Sequence, residues 1–373
     1  MSVAFIVNGG TDGAIGHRAR AFAARLRDRY AIRTAFRSGR RLGALVEFVA
    51  FLFRTRPAVV YVFDMAVAGV LATALYKLLV GAWMIVDTGD AIYELVRSSG
   101  ARGRLGAALT RWFEHFSLWV ADCVVVRGTR HQQYLASRGV DAVVIQDGVD
   151  VTLFAPQPDG GLRAQYGLDG WLTVGLVGAS VWSEKLQMAY GWDLIEALRL
   201  LGPAPVKGVI IGDGSGIPRL KQRARDYGLA DRVLFLGRVP YEELPRYLGL
   251  IDVCLSTQTN NLAGQVRTTG KLPLYLACGR YILASKVGEA ALVLDEEMLV
   301  DYQGARDDGY PARLAGRIRA LLDDPEFRTR ALRNVAVARE RFEYAVLAEK
   351  AAAVIEAGLG ARLRRPAVCE KQT

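Results

Sequence analysis

Short apolar runs rich in β-branched residues recur along this 373-residue chain, and amphipathic stretches fill the gaps between them. In the first half the runs are VAFIVN (3–8), AVVYVF (58–63), WMIVDT (83–88), DCVVV (122–126) and AVVIQ (142–146). None alternates apolar with polar residues, which is the signature of strands buried on both faces, as in a parallel sheet covered by helices. Helical patterns lie between them at Gly13–Arg29, Leu42–Arg54, Arg104–Trp119 and Thr129–Arg138. The segment DGVDVTLFAPQPDGG (147–161) is rich in Gly, Pro and Asp and reads as a linker. The pattern then restarts with LTVGLVG (172–178), VKGVIIG (206–212), RVLFLG (232–237), DVCLS (252–256) and YILAS (281–285), and closes with helical stretches from Tyr310 to about residue 358. An α/β chain of two consecutive Rossmann-like halves follows. Its expected divisions are 1–150, 151–340, and a closing helix with a basic tail at 341–373, the helix packing back toward the first domain.

Composition narrows what such a chain binds. Hydrophobic residues make up 51% and charged residues 23%, which excludes a disordered or fibrous chain. Lys and Arg outnumber Asp and Glu by 48 to 38, and a net charge of +10 favours phosphorylated small molecules, anionic lipid or nucleic acid. No nucleic-acid motif or stacking platform accompanies that charge, so nucleic acid is set aside. Of the cysteines, Cys123, Cys254 and Cys278 lie in apolar stretches, Cys369 lies in the tail, and no pair has C-x-x-C spacing. With three histidines in the chain, neither a zinc site nor a disulfide framework is expected.

Two segments bear on location. The start MSVAFIVNGGTDG has no basic region followed by a long apolar one, so a cytoplasmic protein is expected. Met65–Val86 is apolar but holds Lys77, Gly69 and Gly81, and reads as a buried helix, a turn at Gly81 and a strand rather than a membrane span. Arg33, Arg37, Arg40 and Arg41 precede the apolar helix LGALVEFVAFLF (42–53), with Arg54 and Arg56 after it. That cluster suits an anionic membrane surface, and the helix serves equally well as a core element.

Ligands in open α/β sheets sit at the carboxyl ends of strands, so the loops there are where chemistry is expected. NGGTDGAIGHR (8–18) opens a helix, and Gly9 and Gly10 allow close backbone approach to an anion or a hydroxyl-rich ligand; a plain tight turn is the alternative. After 58–63 and 83–88 come FDMAVAG and DTGDAIYE, which put Asp64, Asp87, Asp90 and Glu94 near the same edge. Each serves either as a helix cap or in chemistry, and Asp90 is the one assigned to function. In the second half GLVGASVWSEK (175–185) carries Ser180 and Lys185, and IIGDGSGIPRL (210–220) carries Gly212, Gly214 and Gly216 before a helix. A lysine at such an edge neutralises phosphate as a point charge, or is merely solvated. QVRTTGKLPLYLACGRYILAS (265–285) sets Arg267, Thr268, Thr269, Gly270 and Lys271 before an apolar helix that ends at Gly279. Two hydroxyls, a glycine and two cations there form a candidate diphosphate cradle; an ordinary threonine cap is the alternative.

Taken in order, ADCVVVRGTRHQQYLASRGV, QDGVDVTLFAP, IIGDGSGIPRLKQRARDYGLADRVLFLGRVPYEELPRYLGLIDVCLS and KLPLYLACGRYILAS resemble the family 4 retaining glycosyltransferases, glycosyl transferases group 1. The resemblance runs from residue 3 to about residue 358 and implies the GT-B fold, two Rossmann-like domains facing across a cleft. It implies a nucleotide-sugar donor in the second domain, an acceptor site in the first, and no bound metal or other cofactor. By position, Gly9 and Gly10 match the glycine loop near the donor phosphates and the acceptor, Lys185 the phosphate-contacting lysine, and Arg238 and Val239 the loop around the base. Thr268, Thr269 and Gly270 match the turn at the distal phosphates.

The chain departs from the family at several of its functional positions. The arginine six positions before the lysine is Ala179, the E-x7-E glutamates fall at Val266 and Leu274, and the histidine of the first domain is Gly89. The Asn-Gly of the linker is Asp147-Gly148. The expected function is sugar transfer to a lipid-linked or polysaccharide acceptor in envelope or exopolysaccharide biosynthesis, at the inner face of the membrane. Asp90, Lys185 and Lys271 are the expected catalytic residues. The missing glutamates keep open a related enzyme with a non-sugar acceptor, and a non-catalytic scaffold subunit.

Overall fold

The computed structural model describes residues 2–37, 39, 41–100 and 102–364, without the side chains of 41, 42 and 362–364. Arg40, the Arg41 side chain and the end of the basic tail with Cys369 therefore lie outside the described residues. The chain divides into two compact units. The first comprises residues up to Val96, Arg102–Gly148 and the chain from Tyr344; the second comprises Arg97–Ala101 and Val149–Glu343.

The first unit holds a parallel sheet of β1 (Ser2–Val7), β2 (Ala31–Phe36), β3 (Val59–Phe63), β4 (Trp83–Thr88), β5 (Cys123–Val126) and β6 (Ala142–Val144). Their spatial order is β2-β1-β3-β4-β5-β6. Successive side chains point to opposite faces. Phe5, Tyr61, Phe63 and Ile85 pack under the helices Ala14–Leu26 and Tyr344–Arg364. Ala4, Ile6, Val60, Val62, Met84 and Val86 pack under Arg41–Thr55, Val67–Val80 and Arg104–Val120. Both faces of β1, β3 and β4 are dry, and this is why these strands read as unbroken apolar runs.

The second unit repeats the plan with β7 (Leu172–Val177), β8 (Val206–Ile211), β9 (Val233–Gly237), β10 (Val253–Ser256), β11 (Tyr281–Ser285) and β12 (Leu299–Val300). All are parallel, in the order β12-β11-β10-β7-β8-β9, around a core of their own. Strand order reverses between β1 and β3 in one sheet and between β7 and β10 in the other. These switch points are where connecting helices leave to opposite faces and open a crevice at the strands' carboxyl ends.

Two strands escape the sequence pattern. β2 (AIRTAF) lies at a sheet edge with Ala31 and Arg33 exposed, so it lacks the apolar run. β12 is two residues long. The helix Val67–Val80 ends at Gly81, in the left-handed region at φ 74°, as its sequence suggests. It is not the buried helix expected, however: Leu75, Leu78 and Leu79 project to solvent. Among the described residues no helix is long and apolar enough to cross a membrane.

Candidate functional site

At the carboxyl edge of the first sheet, β1 runs into Asn8, Gly9 and Gly10. The buried Asn8 amide donates to the Asp64 carbonyl at 2.7 Å, and its Oδ1 accepts from Gly69 N at 3.1 Å. Asn8 thus satisfies the start of the helix Val67–Val80 across 61 residues of sequence, and Asp64 does not cap it: that helix has no capping side-chain bond of its own. Asp64 instead holds φ 70°, a left-handed conformation rare outside glycine. Burial raises its carboxyl above the ordinary value, against the attraction of Arg127. Gly9 is half-buried and Gly10 exposed, and Gly16 of the next helix packs on the loop so closely that a Cβ would strike the Gly10 carbonyl. Asp90 follows β4, half-buried, with its carbonyl accepting from the Thr88 hydroxyl at 2.9 Å. The buried Glu94 lies one turn into the helix Ile92–Ser99, whose first amides, Ile92 N and Tyr93 N, donate to Glu114.

Asp87 is fully buried at the end of β4, between two arginines. Arg18 Nε donates to Oδ2 at 2.9 Å and Arg127 Nε to Oδ1 at 2.8 Å, while the Tyr61 hydroxyl donates to Oδ2 at 3.2 Å. Arg18 also donates to the carbonyls of Ile145 and Gln146, and Arg127 Nη1 lies 3.7 Å from Asp147. Burial opposes the Asp87 charge, and Arg127 and Arg18 overcome it, holding the carboxyl below its ordinary value. Asp87 is a buried counter-ion that ties the ends of β4, β5 and β6 to the first helix. Gly89 is the space Arg127 needs, since a Cβ there would lie 3.0 Å from Nη1. A histidine at Gly89, as in the family, would displace that guanidinium. Arg127 Nη2 has no hydrogen-bond partner among the described residues. Sequence reasoning missed Arg18 and Arg127, which lie 69 and 40 positions from the aspartate they flank.

In the second unit three loops meet at the carboxyl ends of β7, β8 and β9. Gly178 N donates to the Ile211 carbonyl, Ser180 N to Asp213, Gly216 N to Ser180, and Gly212 N to Gly237, all within 2.9 Å. Gly212 and Gly214 hold φ of 133° and 147°, and a Cβ on either would strike the backbone of Gly178 or Ser180. Only glycine permits this approach. Ser180 is fully buried, and its Oγ has no hydrogen-bond partner among the described residues.

Lys271 reaches the same place from the N-terminus of the helix Lys271–Ala277. Its ammonium lies 3.6 Å from the centre of the Tyr190 ring and within 3.5 Å of where a Gly178 side chain would begin. Burial, with the Arg267 guanidinium nearby, pushes this lysine down to about 7. Tyr190 and Tyr275 form the floor: the Tyr190 hydroxyl donates to Leu255 O at 2.6 Å, and the Tyr275 hydroxyl accepts from Val177 N at 2.8 Å. Neither tyrosine stands out in the sequence.

Of the other expected residues, Arg267 lies near enough to Lys271 to act on its charge, and Arg238 follows Gly237 of the same loops. Arg238 is exposed directly after β9, and Val239 packs on the core of its unit. Arg267 is exposed, and its carbonyl accepts from Gln258 Nε2 at 2.9 Å. Thr268 and Thr269 are half-buried and Gly270 is the N-cap, with no side-chain cap on the helix it opens. Lys185 is exposed, its ammonium donating to the Arg97 carbonyl at 3.2 Å. Val266 and Leu274, where the family has glutamates, are both buried.

Comparison with known proteins bears on the second unit above all. The profile of the family Glycosyl transferases group 1 matches residues 173–324, from β7 through the helix Tyr310–Leu322. A GDP-mannose-dependent alpha-(1-6)-phosphatidylinositol monomannoside mannosyltransferase of Mycolicibacterium smegmatis is 33% identical over 181 residues, 46% of each chain. A D-inositol 3-phosphate glycosyltransferase of Acidothermus cellulolyticus is 30% identical over 217 residues, 54% of this chain and 44% of that enzyme. The chain thus spans less than half the length of these relatives. In structure, Anabaena Alr3699/HepE in complex with UDP superposes with a TM-score of 0.74 at 19% identity, covering 96% of this chain and all of that one. Residues 173–324 are therefore similar to group 1 glycosyl transferases, and the chain is built on the GT-B fold.

Proposed function

We propose that this protein transfers a sugar from a nucleoside diphosphate sugar to a lipid-linked or saccharide acceptor, with retention of anomeric configuration and without a metal. The convergence of Gly178, Ser180, Gly212, Gly214 and Lys271 in one place carries the reading. Glycines that admit close approach, a buried unpartnered hydroxyl and a poised ammonium suit a diphosphate. In the reaction the bond from the anomeric carbon to the diphosphate oxygen breaks and one to the acceptor oxygen forms. The acceptor's proton leaves, and negative charge collects on the departing diphosphate. Groups already aimed at that charge lower the barrier, because they need no reorganisation as it develops. Lys271, Arg267 and Lys185 supply cations and the 268–270 turn supplies amides. Gly9 and Gly10 serve the acceptor side, where Asp90 positions the hydroxyl. With Val266 and Leu274 in place of carboxylates, donor affinity rests on the diphosphate more than on the ribose.

The GDP-mannose of one relative and the UDP bound by the structural neighbour make GDP and UDP the first nucleotides to try, and the relatives' inositol-containing acceptors support a lipid-linked or polyol acceptor in envelope biosynthesis, used at the cytoplasmic face of the membrane. A thermal-shift screen against UDP, GDP, ADP, CMP and their sugar conjugates tests the reading. A ligand at about 100 times its Kd stabilises the native state by about 2.7 kcal/mol. One nucleotide raising Tm, with the rise lost in Lys271→Met, is the expected outcome. No shift from any of them, in a protein that melts cooperatively, would refute nucleotide-sugar transfer.

A further inference from the structure

The first unit turns a one-signed, apolar surface to solvent. On the helix Arg104–Val120, Leu105, Leu109, Trp112, Phe116 and Trp119 follow one another at three- and four-residue steps along one stripe. Leu105, Trp112 and Trp119 are 76%, 63% and 80% exposed. Trp112 stacks on Phe116 with ring centroids 5.6 Å apart, and Phe116 leans on Trp119 at 6.3 Å, so the aromatic ridge is ordered rather than splayed. The neighbouring helix Val67–Val80 adds Leu75, Leu78 and Leu79, Leu78 being 82% exposed. The ends of the two helices are tied together: Lys77 Nζ donates to the Val120 carbonyl at 2.7 Å and pairs with Asp122 at 2.8 Å.

Charge on this surface has one sign. Val67–Val80 contains no acid, and the single acid of Arg104–Val120, Glu114, is turned inward to accept from Ile92 N and Tyr93 N. The exposed charged or titratable groups on the two helices are Arg104, Arg111 and His115, with Arg102 just before them. Arg111 lies 5.7 Å over the Tyr93 ring. A protein partner's surface carries both signs, whereas a bilayer of anionic lipids offers an apolar interior under a uniformly negative layer. Trp belongs at that boundary, Leu below it and Arg among the phosphates. No described helix is long and apolar enough to cross a bilayer, so the surface lies on one. The basic helix singled out in the sequence fits less well. Arg41–Thr55 turns Ala44, Phe48 and Leu52 into the core and carries the exposed acid Glu47.

We propose that the outer surface of the helices Val67–Val80 and Arg104–Val120 docks this protein on anionic phospholipid bilayers, with Leu78, Leu105, Trp112 and Trp119 entering the headgroup boundary and Arg104 and Arg111 among the lipid phosphates. The occupant rests on the membrane location proposed above, and the test needs neither donor nor acceptor, so its failure leaves sugar transfer standing. The full chain is floated with vesicles of phosphatidylcholine alone and with an equimolar mixture of phosphatidylcholine and phosphatidylglycerol. Wild type is expected to float with the mixture, less so at high salt, and poorly with phosphatidylcholine. The pairs Trp112→Ser/Trp119→Ser and Arg104→Glu/Arg111→Glu are each expected to weaken binding by about tenfold or more. Being exposed, they leave Tm unchanged, and Val46→Glu on the neighbouring helix leaves binding unchanged. Binding that survives both pairs would overturn the assignment. So would a vesicle-free dimer, seen by light scattering, that Trp112→Ser/Trp119→Ser dissociates, because the face would then belong to a second copy.

Discussion

Desolvation opposes the charge of both Asp87, fully buried, and Lys271, half-buried, and their surroundings decide opposite outcomes. Asp87 keeps its charge because two guanidinium groups are within 2.9 Å; removing it strands Arg18 and Arg127 in a dry interior. Asp87→Ala is expected to destabilise the first unit by about 3–5 kcal/mol in denaturant titration, the cost of breaking one partner out of a buried ion pair. Among the described residues no acid offsets the burial of Lys271, so its proton is lost near 7 in the folded chain against 10.5 ordinarily. Across that window the unfolded chain binds more protons, so stability rises with pH from about 7 to 10.5, and Lys271→Met should remove that part of the rise in a Tm–pH profile. A diphosphate placed beside the amine would restore its charge. Nucleotide binding at pH slightly above 7 should therefore take up a proton, read by calorimetry in buffers of different ionisation enthalpy, and Lys271→Met should abolish the uptake.

At the scale of elements, long-range caps and packing decide what each helix does. The helix Val67–Val80 begins without a side-chain cap of its own and is completed by Asn8, and the first amides of Ile92–Ser99 donate to Glu114, both from elsewhere in the chain. The last long helix, Tyr344–Arg364, belongs to the first unit, where Leu347, Ala351 and Ile355 complete the core over Phe5, Tyr61 and Ile85. Ile355→Ala is expected to cost about 2–5 kcal/mol through lost contacts and a residual cavity. The loss should appear in the unfolding of the first unit, followed by hydrogen exchange of β1 and β3, while β7 and β8 keep their protection. The strands were legible because burial on both faces writes them as apolar runs. β2 was not, because an edge strand with an exposed arginine has no such run to read.

At the scale of the whole molecule, one plan appears twice, and each copy places its loops at a reversal of strand order. The positions of the glycine loops after β1, β7 and β8 could be picked out from the chain. A strand followed by glycines and a helix is a local pattern, and φ beyond +100° at Gly212 and Gly214 is a requirement only glycine meets freely. The sequence by itself determined the α/β class, the alternation of strands and helices, and the turn at Gly81, because periodicity and backbone sterics act within a few residues. Tertiary structure alone decided that Asp87 is a counter-ion rather than a cap, that Lys271 sits over Tyr190 beside Gly178, and which helices turn leucine and tryptophan to solvent. Each of those outcomes depends on desolvation, and what desolvates a group is the company it keeps from distant parts of the chain.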